Sequence, residues 1–70
     1  MYFLIRDKTL VPGTQIRVYE NETKTYFDLK QEGFDLYGQF SNSIYANFWA
    51  DYHNGKISQE ELRRLLELNP

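Results

Sequence analysis

His53 is the only histidine in this 70-residue sequence, which contains no cysteine. It is therefore the one side chain whose ordinary pKa suits a general base near neutral pH. Covalent catalysis also needs a nucleophile and an orienting acid. Asp51 falls on a different side of the helix from His53, and no spacing relates His53 to Ser41, Ser43 or Ser58. Because a phosphate-binding glycine loop is also missing, the sequence predicts no catalytic residue, no enzyme and no cofactor.

Residues 54–62, with the sequence NGKISQEEL, resemble the second half of an EF-hand calcium loop. Gly55 stands where such loops turn sharply, and Glu61 stands where they carry a bidentate glutamate. In the same register, the first two ligand positions are Ala50 and Tyr52, which supply no carboxylate or amide oxygen. Calcium needs about six to eight oxygen ligands. The end of one helix followed by the N-cap of the next accounts for the same residues, so we predict no metal site.

Residues 19–37 contain both tyrosines and acidic residues, and we expect this segment to contain strands. Tyrosine is enriched in protein-binding patches because it offers a large contact area at a low entropic cost. Strand propensity alone also favours tyrosine on an open sheet face, and the sequence does not separate the two explanations. On the first explanation, the predicted partner-binding residues are Tyr19, Glu20, Glu22, Tyr26, Asp28, Asp35 and Tyr37.

A helical hairpin over residues 41–68 is the clearest structural prediction. Ser58 is a good N-cap, and Glu61 three residues later completes a capping box. Ser41 is the expected cap of the first helix, and Gly55 is the expected stop that follows it. Apolar residues at helical spacing form the expected inner faces: Ile44, Tyr45, Phe48, Trp49 and Tyr52 in the first helix, and Leu62, Leu65 and Leu66 in the second.

The first forty residues favour β-structure. Residues 2–5 form an apolar run typical of a strand that is covered on both faces. Residues 14–29 predict a β-hairpin with Phe27 and Leu29 facing inward and Tyr19 and Tyr26 facing outward. Residues 30–39 fit a strand or an irregular connection equally well, because Gly33 and Gly38 interrupt their alternation.

The predicted fold is α+β, with an antiparallel sheet of three to four strands packed by the C-terminal helical hairpin. Seventy residues make a single domain, 1–70, whose residues 1–40 are mainly β and whose residues 41–68 form the helix-turn-helix hairpin. The net charge is -2, and no basic stripe exists. We expect no membrane partner and no direct contact with nucleic acid. The N-terminal MYFLIRDK is too short for a signal peptide, so we expect a cytoplasmic protein.

Three functions stay open on the sequence. The favoured one is a non-enzymatic protein-binding module that docks on a larger protein, with a basic or nucleic-acid-binding surface as its target. Small size, acidity and exposed aromatics resemble the general character of phage-encoded inhibitors of host or defence proteins, anti-CRISPR proteins among them. The second is a nucleic-acid-binding regulator that presents Arg63, Arg64 and Lys56 from its second helix. The third is a structural homo-oligomer, of which a homodimer is the simplest form.

Overall fold

The computed structural model of the chain describes residues 1–69. Its elements are β1 (Tyr2–Arg6), β2 (Ile16–Glu20), α1 (Tyr26–Gln31), β3 (Leu36–Phe40), α2 (Ser43–His53) and α3 (Gln59–Leu68). The strands form one antiparallel sheet in the order β2-β1-β3. The predicted α+β fold, a small antiparallel sheet packed by a C-terminal helical hairpin, is confirmed.

Strand β1 lies in the middle of the sheet and is buried on both faces, as its apolar run predicted. Phe3 and Ile5 point to one face, where they pack with Leu29 of α1. Leu4 points to the other face, where it packs with Ala46 and other residues of the α2 layer. The fold therefore has three layers, with α1 on one side of the sheet and the helical hairpin on the other.

The prediction of a β-hairpin over residues 14–29 is wrong, because its second arm is helix α1. Thr25 caps this helix: its hydroxyl accepts from Asp28 N at 3.1 Å, and the Asp28 carboxylate accepts from Thr25 N at 3.0 Å. This reciprocal capping box satisfies two amides that a helix start leaves unpaired. In the helix Leu29 is buried as predicted, but Phe27 is 65% exposed rather than inward-facing.

Strand β2 pairs with β1 instead of with a second hairpin arm. Its side chains alternate, since Ile16 and Val18 face the α2 layer while Tyr19 faces the opposite side. That opposite side is not an open polar face, because α1 packs across it.

Residues 30–40 contain both an irregular connection and a strand, the two alternatives that the sequence left open. Helix α1 ends before Gly33, which adopts a φ of 96° and turns the chain toward β3. Within β3 the pairing with β1 shifts by one residue, since Leu4 lies opposite Gly38 while Ile5 lies opposite Leu36. This shift is a β-bulge that leaves one extra residue, Tyr37, on the outer strand.

Helix α2 lies on the sheet through two buried alanines, beside which Trp49 packs on Phe40 of β3. Ala46 and Ala50 are one turn apart and buried against Leu4 and Ile16. Small side chains let the helix backbone approach the strands closely. Ile44, which we expected in the core, is 52% exposed because it lies on the far side of this contact.

Helix α3 packs antiparallel on α2, and the ends of the hairpin are defined by caps. The Ser58 hydroxyl accepts from Glu61 N at 3.1 Å, which confirms the predicted N-cap of α3. The cap of α2 is Asn42, whose side chain accepts from Ile44 N at 2.7 Å, so the prediction of Ser41 is wrong. Among residues 1–69, no helix has the length and apolar character required to cross a bilayer.

Candidate binding surface

The seven predicted partner-binding residues do not share one face of the molecule. Glu20 and Glu22 are exposed at the end of β2 and in the loop that follows it. They lie near Tyr2, and the hydrogen bond and charge of Glu20 raise the pKa of the Tyr2 hydroxyl. Both acidic side chains are exposed to solvent.

Tyr19 and Tyr26 are not on an open surface, which corrects the predicted sheet face. Both are half-buried and pack against the cluster formed by Phe3, Ile5 and Leu29. The Tyr19 ring also stacks on Phe34, with centroids 5.6 Å apart. The physical reason is the position of α1, which covers the sheet face that the hairpin prediction left open.

The other three predicted residues lie at separate places. Asp28 is exposed on α1, but its carboxylate is held by the Thr25 amide and hydroxyl, which lower its pKa. Asp35 is exposed just before β3. Tyr37 lies on the α2 side of the sheet, where its ring centroid is 5.5 Å from that of His53. Whether any of these residues binds a partner stays a prediction.

Tyr37 belongs to a row of aromatic rings that joins β3 to α2. Its bulged position carries it toward His53, and the Arg6 guanidinium lies 5.2 Å from its ring centre. Trp49 continues the row, with its ring 6.2 Å from His53 and 6.3 Å from Phe40, between centroids. Aromatic pairs in this distance range attract each other beyond simple burial. No local pattern of residues indicates this row, because it depends on a bulge and on the pairing of distant elements.

Trp49 also forms the floor of a groove along the hairpin. The groove has a volume of about 340 Å³ and is open to solvent. Its apolar walls come from Leu62, which is buried, and Leu66, which is half-buried. Its lining residues are Trp49, Gln59, Leu62, Arg63, Leu66 and Glu67. The arrangement can hold a large apolar side chain beside the charged rim that Arg63 and Glu67 provide.

A second, polar hollow lies at the end of the sheet where β1 finishes. Arg6 and Arg17 line it, but Arg17 is paired with Asp7 at 3.1 Å and Arg6 lies over the ring of Tyr37. Hydrogen bonds from the Thr9 hydroxyl and amide, followed by the one from Arg17, hold the pKa of Asp7 below its ordinary value. Both arginines already have partners, whereas Lys8, which also lines this hollow, makes no ion pair within residues 1–69. The groove is the better candidate for a protein contact because apolar side chains line it.

The residues that resemble an EF-hand loop form the turn before α3 and the first turn of that helix. The amide of Glu61 donates to Ser58, while Ala50 and Tyr52 lie within α2. Residues 1–69 contain no group of three or more His, Asp or Glu side chains that could hold a metal ion. His53 contacts the rings of Tyr37, Trp49 and Tyr52.

Comparisons with family models, with curated proteins and with solved structures give no match for this chain. Functional inference therefore rests on the geometry of the groove and of the surfaces that adjoin it.

Proposed function

We propose that the chain is a small non-enzymatic protein-binding module that docks on a larger protein through the groove between α2 and α3. The observation that supports this is the open apolar groove over Trp49, whose walls are the leucines of α3. Apolar surface that a fold leaves open and rims with polar groups is typical of a protein contact site.

The proposed occupant is a segment of the partner that carries a large apolar side chain followed by a carboxylate. The apolar side chain fills the space above Trp49, and the carboxylate pairs with Arg63. Within residues 1–69 the ion pairs are Arg17–Asp7 and Lys24–Glu32, so Arg63 has no anionic partner of its own there. Tryptophan and arginine are also the residues that most often dominate the free energy of a protein contact.

The proposal extends to a class of protein: an inhibitor or regulator of the kind that phages and other mobile elements encode, anti-CRISPR proteins included. Its support is general, namely the small size and the net charge of -2. Glu20 and Glu22 stay exposed and would steer the module toward a basic or nucleic-acid-binding surface on the target.

The test compares two neighbouring arginines of α3. Arg63 lines the groove, whereas Arg64, which is equally exposed, does not. A photo-crosslinking residue at position 63 identifies the protein captured from a lysate of the encoding organism, and the purified partner is then titrated. We expect Arg63→Glu to weaken binding by about tenfold or more and Arg64→Glu to change it by less than about twofold. Equal effects of the two changes, or capture of nucleic acid instead of protein, would contradict the proposal.

A further inference from the structure

The two edges of the sheet differ in how their backbone groups are used. Asp7 N donates to the Gln15 carbonyl at 2.7 Å, and Arg6 N donates to the Asp35 carbonyl at 3.1 Å. In an antiparallel ladder, both backbone groups of a residue point to the same neighbouring strand, and this direction alternates along the chain. Odd-numbered residues of β1 therefore face β2, and even-numbered residues face β3.

The outer edge of β2 is occupied at Ile16 by the side chain of Asn54, the C-cap of α2, whereas the outward N–H of Val18 has no hydrogen-bond partner within residues 1–69. Ile16 lies opposite Arg6, an even-numbered residue, so its backbone groups point away from the sheet. Asn54 occupies both of them: its Oδ1 accepts from Ile16 N at 2.9 Å, and its Nδ2 donates to the Ile16 carbonyl at 2.8 Å. The amide of Asn54 thus takes the place of a peptide group from a further strand.

The outer edge of β3 has no such cover. Gln39 lies opposite Phe3, an odd-numbered residue whose backbone groups face β2. The amide and carbonyl of Gln39 therefore point outward, and no group within residues 1–69 bonds to them from that side. An unpaired strand edge is a template on which another extended chain can add.

We infer that a short extended segment of the partner adds to the sheet as a fourth strand along β3, pairing with Gln39. The inference rests on the proposed function and specifies the partner's conformation. Side chains of an added strand alternate between the two faces of the sheet. Those on the α2 side lie beside the aromatic row, whose Trp49 stacks on Phe40 of β3 and floors the groove.

The bulge at Tyr37 decides between a peptide segment and a second copy of this chain. A bulge twists its strand and interrupts regular pairing, which is one way in which proteins prevent edge-to-edge self-association. Only the part of β3 after Tyr37 keeps a regular register with β1. A segment of a few residues fits this short stretch, whereas two copies of β3 would have to pair across two bulges.

The experiment uses chemically synthesised full-length protein with a single ester in place of one backbone amide. An ester at Gln39 removes its outward N–H and weakens the Gly38 carbonyl, which bonds to β1. An ester at Val18 is the matched control, because Val18 lies opposite Leu4 and its N–H points outward from β2. It likewise weakens one inward carbonyl, that of Arg17, so it reports the same cost to folding.

The probes are acetylated heptapeptides in which threonine alternates with leucine or with phenylalanine, together with versions that carry proline at every second threonine. Amide hydrogen exchange of Gln39, measured by NMR, should slow more than tenfold at saturating peptide and should not change with the proline versions. Loss of one backbone hydrogen bond should make the Gln39 ester bind about fivefold more weakly, and the Val18 ester should bind within about twofold of the all-amide protein.

Unchanged exchange at Gln39 with every peptide, or equal weakening by both esters, would overturn the inference. It would also fall if Gln39 were protected without peptide in a dimer detected by sedimentation, since a second copy would then cover the edge. If Arg63→Glu abolishes partner binding while the Gln39 ester leaves it intact, the proposed function stands and only the strand addition fails. If the peptides protect Gln39 from exchange but Arg63→Glu does not weaken partner binding, the strand addition stands and the proposed function fails.

Discussion

At the scale of single residues, Phe27 and Leu29 carry the sharpest stability prediction, because helix α1 turns one outward and the other inward. Phe27 is 65% exposed, while Leu29 is fully buried against Phe3 and Ile5. We expect Leu29→Ala to lower the free energy of unfolding by about 2–5 kcal/mol, through lost burial and a residual cavity. Phe27→Ala should change it by less than about 0.5 kcal/mol. Denaturant unfolding of both variants measures the difference, and a large loss from Phe27→Ala would restore the strand prediction.

Asp28 makes the stability of the same helix depend on pH. The Thr25 amide, and after it the Thr25 hydroxyl, hold the pKa of Asp28 below its ordinary value of 3.8. A carboxylate whose pKa is lowered on folding stabilises the protein above that ordinary value, and the contribution is lost as the pH falls through the folded pKa. We expect the melting temperature to fall below about pH 4 and to fall less steeply in Asp28→Asn.

Asp35→Asn is the control for this measurement, because the Asp35 carboxylate accepts no hydrogen bond within residues 1–69. It should follow the wild-type profile. An Asp28→Asn profile that also follows the wild type would show that the capping box contributes nothing to acid stability.

The residues of α1 explain why the sequence predicted a strand there instead of a helix. Phe27 and Leu29 match a period of two, which predicts a strand over the five residues from Thr25. A period of two and a period of 3.6 differ little over so short a stretch. The spacing Thr25-x-x-Asp28 was the available signal for a helix start, but Asp replaces the more usual Glu or Gln of a capping box.

At the scale of elements, substitutions at two serines of the hairpin test which residues cap its helices. The Ser58 hydroxyl accepts from Glu61 N, whereas the cap of α2 is Asn42 and not Ser41. We expect Ser58→Ala to destabilise the protein by about 1 kcal/mol, the usual effect of losing an N-cap. Ser41→Ala should stay within about 0.5 kcal/mol of the wild type. Denaturation curves of both variants measure the two changes in the free energy of unfolding, and equal changes would contradict this assignment of the caps.

The elements that could be predicted are those with strong local signals. The hairpin turn at Asn54-Gly55, the Ser58 cap and the apolar run of β1 all act within a few residues, and each prediction is confirmed. The packing of the hairpin on the sheet was predicted correctly, but the buried pair Ala46 and Ala50 was not, because the prediction relied on five larger residues of α2. Close helix–sheet packing depends on side-chain size as much as on hydrophobicity.

The candidate site was less predictable than the fold, because it consists of long-range contacts. The groove needs α3 to lie beside Trp49, and the open edge of β3 needs the order β2-β1-β3. Asn54 contacts Ile16 across 38 residues, a pairing that no local pattern indicates. Tyr19 and Tyr26 were expected on a free face only because α1 was absent from the predicted architecture.

At the scale of the whole molecule, the three layers determine where a partner can bind. Both faces of the sheet are covered by helices, so Tyr2 and Tyr19 pack against the two core clusters, whereas Tyr37 stays exposed. The surfaces that stay open lie at the sides of the molecule and include the groove beside α3 and the outer edge of β3. Trp49 connects these two surfaces, because it floors the first and stacks on Phe40 in the second.

The last prediction separates protein binding from nucleic-acid binding. Arg63 and Arg64 are adjacent on α3, so their directions differ by about 100° around the helix and they form no single stripe. Glu60, Glu61 and Glu67 lie on the same helix, and the net charge of the chain is -2. Affinity for duplex DNA comes mainly from neutralised phosphates, and each contact adds about 0.9 to the salt slope. We expect no measurable binding to a duplex oligonucleotide at physiological salt, by fluorescence anisotropy. Tight binding whose salt slope drops by about one unit in both Arg63→Glu and Arg64→Glu would establish the nucleic-acid alternative instead.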